Sequence, residues 1–208
     1  MRNRWLIFAV AGIVLAVGRA AAQTAPRDAT PNYASSDVVA ELMQERPAFA
    51  SLSQHAQATI YSWLSSNCAV GAEDRKATLE RVGSSAEFAL IEAFGMGPPQ
   101  ALLELLATET QRTYEGIIAS VAAGEDLPFN PSAKEALLAL RRDDYVGNTV
   151  NVTIMNYRRA SLSGIDLIGS ATSLRWLERT IPKLNDEDLR ARAEAVRASL
   201  DKRLRSSR

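Results

Sequence analysis

Two short polar runs carry the side chains best suited to gripping a ligand: "RRDDY", Arg141 to Tyr145, and "NYRR", Asn156 to Arg159. A guanidinium presents a planar fork of N–H donors that matches a carboxylate or phosphate, and neighbouring amide and phenol groups extend the reach to a glycan. Arg141, Arg142, Asn156, Arg158 and Arg159 are therefore the candidate binding residues. If the chain turns near Gly147, the two pairs approach each other, and like charges held together favour an incoming anion. The competing reading is local neutralisation, since Asp143 and Asp144 directly follow the first pair.

Acid–base and metal chemistry is sparsely provided. His55 is the one histidine, with no His or Cys three or four residues on, so no zinc site can be assembled around it. It is expected to be a partly buried, hydrogen-bonded structural residue. Cys68 is the one cysteine, which excludes an intramolecular disulfide and reads as a buried structural thiol. Ser199 to Lys202, "SLDK", has the S-x-x-K form of penicillin-recognising serine enzymes, but it lies in a highly charged helix without the accompanying elements. A cell-wall glycan hydrolase would need a carboxyl kept protonated among apolar groups. Glu92 in "FALIEAFG" and Glu104 in "ALLELLA" are the nearest fits, and both read better as solvent-facing acids. Asn151-Val152-Thr153 is formally a glycosylation acceptor. No phosphate loop, dinucleotide fingerprint or H-E-x-x-H occurs, so no catalytic residue, metal ligand or cofactor is assigned.

These side chains must be positioned by helices. Leu52, Ala56, Ile60, Trp63 and Leu64 form one apolar stripe, and Phe88, Ile91 and Phe94 another. Ser84 with Glu87, Thr108 with Gln111 and Ser132 with Glu135 have the form of capping boxes that open helices. Pro47, Gly83, "GMGPP" (Gly95 to Pro99) and "GEDLPFNP" (Gly124 to Pro131) mark stops. Nine or ten short helices are predicted. The stretch Val146 to Tyr157 alternates like a strand at Val150, Val152 and Ile154. Val150, Ile154, Tyr157, Ile165 and Ile168 continue a helical stripe, and no second strand exists to pair with, so helix is predicted.

The N-terminus has a targeting pattern. Arg2 and Arg4 precede an uncharged apolar run of 13 residues, Trp5 to Val17, followed by Ala20-x-Ala22. This predicts a secretory signal peptide over residues 1–22, too short to span a membrane. A disordered, proline-bearing leader is expected over 23–36, and a single all-α domain over 37–205. Cleavage removes three of the 24 basic residues and leaves 21 against 24 acidic ones. That balance disfavours nucleic acid as a partner, and cleavage leaves no membrane anchor.

The clearest helical hairpin is "SLRWLERTIPKLNDEDLRARAEAVRASL", Ser173 to Leu200. Leu189, Ala193, Val196, Leu200 and Leu204 fall on one face and are expected to pack against Leu177 and Ile181. The acidic corner "NDED" places carboxylates at the second helix's N-terminus, where the helix dipole favours them. Similar helix pairs are read at "IYSWLSSNCAVGAEDRKATLERVG" and at Ala101 to Gly124. Gly83, Gly124 and Gly169 are 41 and 45 residues apart, close to the period of helix-pair repeats. The pattern resembles HEAT repeats, with Asp186 in the turn and Arg192 as the early basic residue of the second helix. The resemblance implies a short α-solenoid, with an irregular helical bundle as the alternative. The function expected is an exported, periplasmic protein-interaction module without catalytic activity. Small-ligand or glycan binding is the alternative, ahead of a cell-wall glycan hydrolase.

Overall fold

The computed structural model describes residues 45–65, 72–125 and 131–206. The expected signal peptide, the leader, the domain start at residue 37 and Cys68 lie outside them. The fold is all-α, with no strand among the described residues. In chain order the helices are α1 (Pro47–Ala50), α2 (Gln54–Ser65), α3 (Ala72–Val82), α4 (Glu87–Met96), α5 (Gln100–Ala122), α6 (Pro131–Leu138), α7 (Arg142–Ile168), α8 (Ala171–Thr180) and α9 (Glu187–Ser206). Short 3₁₀ turns at Gly83–Ala86 and Ile181–Lys183 lead into α4 and out of α8. Among the described residues, no helix is long and apolar enough to cross a membrane.

The chain groups into two compact units, each described by itself. The split unit combines residues 45–65 and 72–99 with 154–206; the central unit takes 100–125 and 131–153. In the split unit α2 packs on α3, α1 on α4, and α8 on α9. Its core includes Ile60, Leu79, Leu90, Leu162, Ile165, Leu177 and Leu200, all essentially inaccessible. Trp63 is half-buried, and its indole Nε1 donates to the Ala160 carbonyl at 2.8 Å. That bond brings α2 against α7 beside Gly164. A Cβ on Gly164 would lie 2.9 Å from Leu90 Cδ1 and 3.0 Å from Trp63 Nε1. Gly164→Ala is therefore expected to destabilise by about 1–3 kcal/mol through overpacking. Gly116, in α5, has open space at its Cβ position, so Gly116→Ala should gain about 0.4–1 kcal/mol. Urea unfolding of both variants checks the contrast; equal midpoints would contradict the close approach at Gly164.

The C-terminal hairpin follows the apolar stripe. Leu189, Ala193, Val196, Leu200 and Leu177 are buried, while Leu204 and Ile181 are half-buried. Asp186 caps α9, its Oδ1 accepting from the Leu189 N–H at 2.8 Å. Arg203, near the end of α9, donates to the carbonyls of Asp166, Leu167 (3.0 Å) and Gly169 (2.6 Å), closing the C-terminus of α7.

In the central unit Ile117, Leu137 and Tyr145 form the core, with Tyr114 and Leu140 against it. The rings of Tyr114 and Tyr145 are 5.2 Å apart, and the Tyr114 hydroxyl donates to the Leu140 carbonyl at 2.9 Å.

Several sequence expectations need correcting. Residues 100–122 form one helix, not a helix pair beginning anew at Thr108. The hydroxyls of Thr108 and Thr113 donate to the carbonyls of Glu104 and Glu109, both at 2.9 Å. Bonded back within the helix, they offer no alternative to it. Likewise α7 runs through Gly147 unbroken. A lone helical glycine costs only about 1 kcal/mol, too little to stop a helix of 27 residues. The capping box at Ser84 does not form, because Glu87 is engaged elsewhere. Ser132 sits inside the first turn of α6 and not at its cap. Phe88 is 58% exposed, so the buried stripe of α4 is Ala89, Leu90, Ala93 and Phe94.

Candidate functional site

The first arginine pair is neutralised where it stands. Arg141 donates to both carboxylate oxygens of Asp144, at 2.9 and 3.2 Å. The Arg141 guanidinium in turn holds the Asp144 carboxyl below its ordinary value. Arg142 donates to Asp143 at 3.1 Å and lies 3.9 Å from Glu115. Tyr145, expected as a ligand contact, belongs to the interior of the central unit at 2% exposure. Burial pushes its phenol up to about 12, and its hydroxyl has no hydrogen-bond partner. Because α7 does not turn at Gly147, the approach of the two arginine pairs that such a turn would have produced does not follow. Arg141 and Arg142 belong to the central unit, and Asn156, Arg158 and Arg159 to the split unit.

The second run divides by helical position. Tyr157 is buried, and burial raises its phenol, with Arg46 opposing and Tyr61 and Glu92 adding to the rise. Arg159 reaches Asp188 of α9 at 2.8 Å and the Asn156 side-chain oxygen at 3.2 Å. Asp188 also accepts from Arg192 at 3.1 Å. Burial pushes the Asp188 carboxyl up, but hydrogen bonds from Arg159 and Arg192 outweigh it and hold the group below its ordinary value. The structure thus brings Asn156 and Arg159 together and spends Arg159 on α9. Arg158 differs: its Nε is buried with no hydrogen-bond partner.

The acids singled out from sequence have structural roles. Glu92 is half-buried and accepts the N–H groups of Ala48 and Phe49, each at 3.2 Å, so it does not face solvent freely. Glu104 is exposed and accepts from Gln100 at 3.0 Å. His55 is exposed and not partly buried, because the inward stripe of α2 is Ala56, Ile60 and Leu64. Ser199 is exposed on α9. Among the described residues, no three His, Cys, Asp or Glu side chains gather into a metal site.

Two features were missed from sequence. One is Glu87, the first residue of α4 and only 3% exposed. Its carboxylate accepts the N–H groups of Ser170 (2.9 Å) and Ser173 (2.7 Å) and both serine hydroxyls. It therefore sits on the N-terminus of α8, where the helix dipole favours an anion. The other is the outer face of α4. Phe88 and Met96 are 58% and 53% exposed, with Gly95 exposed between them. A signal was available: residues 82–99, "VGSSAEFALIEAFGMGPP", contain no charge besides Glu87 and Glu92. With both acids engaged, α4 shows solvent an apolar strip.

Comparison with family models, with curated proteins and with solved structures finds no match to this chain.

Proposed function

We propose that the chain is an exported, periplasmic helical module that acts by binding another protein and not by catalysis, with the outer face of α4 as its contact surface. The observation that carries this reading is the pair Phe88 and Met96, large apolar side chains more than half exposed on a helix with no free charge. Exposed apolar surface of this kind marks contact sites when it is contiguous, and aromatic anchors dominate binding energy at protein interfaces. The helix beneath is held firmly. Glu87 fixes its start to α8, and Phe94 packs edge-on against Trp176 with ring centroids 5.4 Å apart. A rigid anchor loses little entropy on binding. The paired helices α8 and α9 are read as one HEAT-like unit of the scaffold. Export rests on the signal-peptide pattern at residues 1–22.

The test places a photocrosslinking phenylalanine analogue at position 88 of the mature protein in its native envelope, with position 197 on the charged face of α9 as control. A crosslinked partner is expected at 88 and not at 197. Phe88→Asp should then weaken that partner's binding at least about tenfold, the loss of a modest hot spot, without lowering the melting temperature. Undiminished affinity in Phe88→Asp, or the same adduct at both positions, overturns the reading.

A further inference from the structure

We infer that Arg158 anchors an oxyanion-binding site on the split unit, taking the carboxylate or phosphate group of a ligand. This goes beyond the protein-contact surface on α4 and does not depend on it. Arg158 lies on the inward stripe of α7: Ser161, Leu162 and Ile165, three, four and seven residues on, are at most 1% exposed. A helix places residues at these spacings over one another. Its Nε is shielded from water and has no hydrogen-bond partner. A shielded N–H donor without an acceptor is costly, and such groups are paired in most folded proteins.

Among the described residues, none supplies the acceptor. Asp188 is already shared between Arg159 and Arg192. The Asn156 side-chain oxygen is taken by Arg159. The Ser161 hydroxyl donates to the Tyr157 carbonyl at 3.0 Å. Asp166 is eight residues along the same helix, a rise of about 12 Å. Arg159 and Arg192 share the Asp188 carboxylate, and Arg158 stands next to Arg159 on α7. A planar oxyanion is the group that meets a guanidinium with two parallel bonds. Of the five arginine and asparagine positions singled out from sequence, Arg141, Arg142, Asn156 and Arg159 are internally satisfied, and Arg158 alone keeps a buried donor open.

The oxyanion can come from a free small anion or from an acidic side chain of a bound chain, and the probes separate the two. The full mature protein is titrated with sodium phosphate, sodium acetate and a short glutamate peptide, each against sodium chloride at equal ionic strength. The readouts are the ¹⁵Nε–¹H resonance of Arg158 and the melting temperature. A response to phosphate or acetate assigns a free anion, and a response to the peptide alone assigns a chain-borne carboxylate. At a ligand concentration fivefold above its Kd, the melting temperature should rise by about 2–4 °C. Arg158→Met should abolish both responses while melting no lower than the wild type, because it removes a shielded donor that has no partner. If the wild-type resonance and melting temperature are unmoved by all three probes, the site does not exist. An Arg158→Met protein that melts markedly lower and is equally insensitive shows a structural arginine, and also overturns the proposal. Failure here leaves crosslinking at Phe88 unaffected, and the converse holds too.

Discussion

Glu87→Gln is expected to lower the stability of the split unit by about 2–4 kcal/mol, since hydrogen bonds to a charged group contribute about 1.5–3 kcal/mol each and the amide nitrogen would face donors. Four donors from Ser170 and Ser173 converge on this carboxylate, and it is their shared acceptor. Burial by itself would push the carboxyl up. The Ser173 hydroxyl, the Ser170 N–H, the Ser170 hydroxyl and the Ser173 N–H outweigh it and hold the group below its ordinary value of 4.5. A carboxyl whose folded-state value is depressed stabilises the fold above its unfolded value and loses that contribution as pH falls through the lower, folded value. Wild type should therefore weaken on acidification below about pH 4.5, and Glu87→Gln should weaken less over the same interval. Urea midpoints measured at pH 7 and pH 3 decide it: parallel losses in the two proteins would show that Glu87 does not carry the acid sensitivity.

Leu200→Ala should cost about 2–5 kcal/mol, the range for removing a fully enclosed leucine whose surroundings cannot collapse into the space. Leu200 is 0% exposed on the face of α9 that packs on α8. Arg197, three residues earlier, is exposed, and Arg197→Ala should stay within about 0.5 kcal/mol of wild type. At about 2–4 °C per kcal/mol for a chain of this size, the two variants separate clearly in a melting experiment. Coincident melting curves would mean that the α8–α9 face is not a core.

What could be seen in the sequence was what short-range pattern encodes. Leu189, Ala193, Val196 and Leu200 follow helical spacing without interruption, and all four are buried. The all-α class and the helical state of Val146 to Tyr157 followed from the same periodicity. Asp186 was placed by its acidic corner and does cap α9. The errors arose where a local signal met a stronger distant partner. Ser84 and Glu87 have capping-box spacing, but Ser170 and Ser173, 83 and 86 residues away, offer the carboxylate four donors. Thr108 and Gly147 resemble punctuation, yet the surrounding helix formers carry the chain through both. The candidate site was legible as chemistry and not as geometry. Sequence identified the arginines, but which of them meet a carboxylate depends on α9 delivering Asp188 to Arg159 and not to Arg158.

The discontinuity of the split unit has a consequence for the chain while it is being made. Residues 45–99 leave the ribosome before the central unit, and residues 154–206 after it. At about 5–20 residues per second, the second stretch takes roughly 3–10 s to synthesise. Leu90 lacks the α7 surface beside it until Gly164 is made, and Glu87 lacks its partners until Ser170 and Ser173 are made. The carbonyls at the end of α7 stay open until Arg203 has been added. The described residues of the central unit, 100–125 and 131–153, lie between these two stretches, so the nascent split unit keeps apolar surface open until its second stretch has been made.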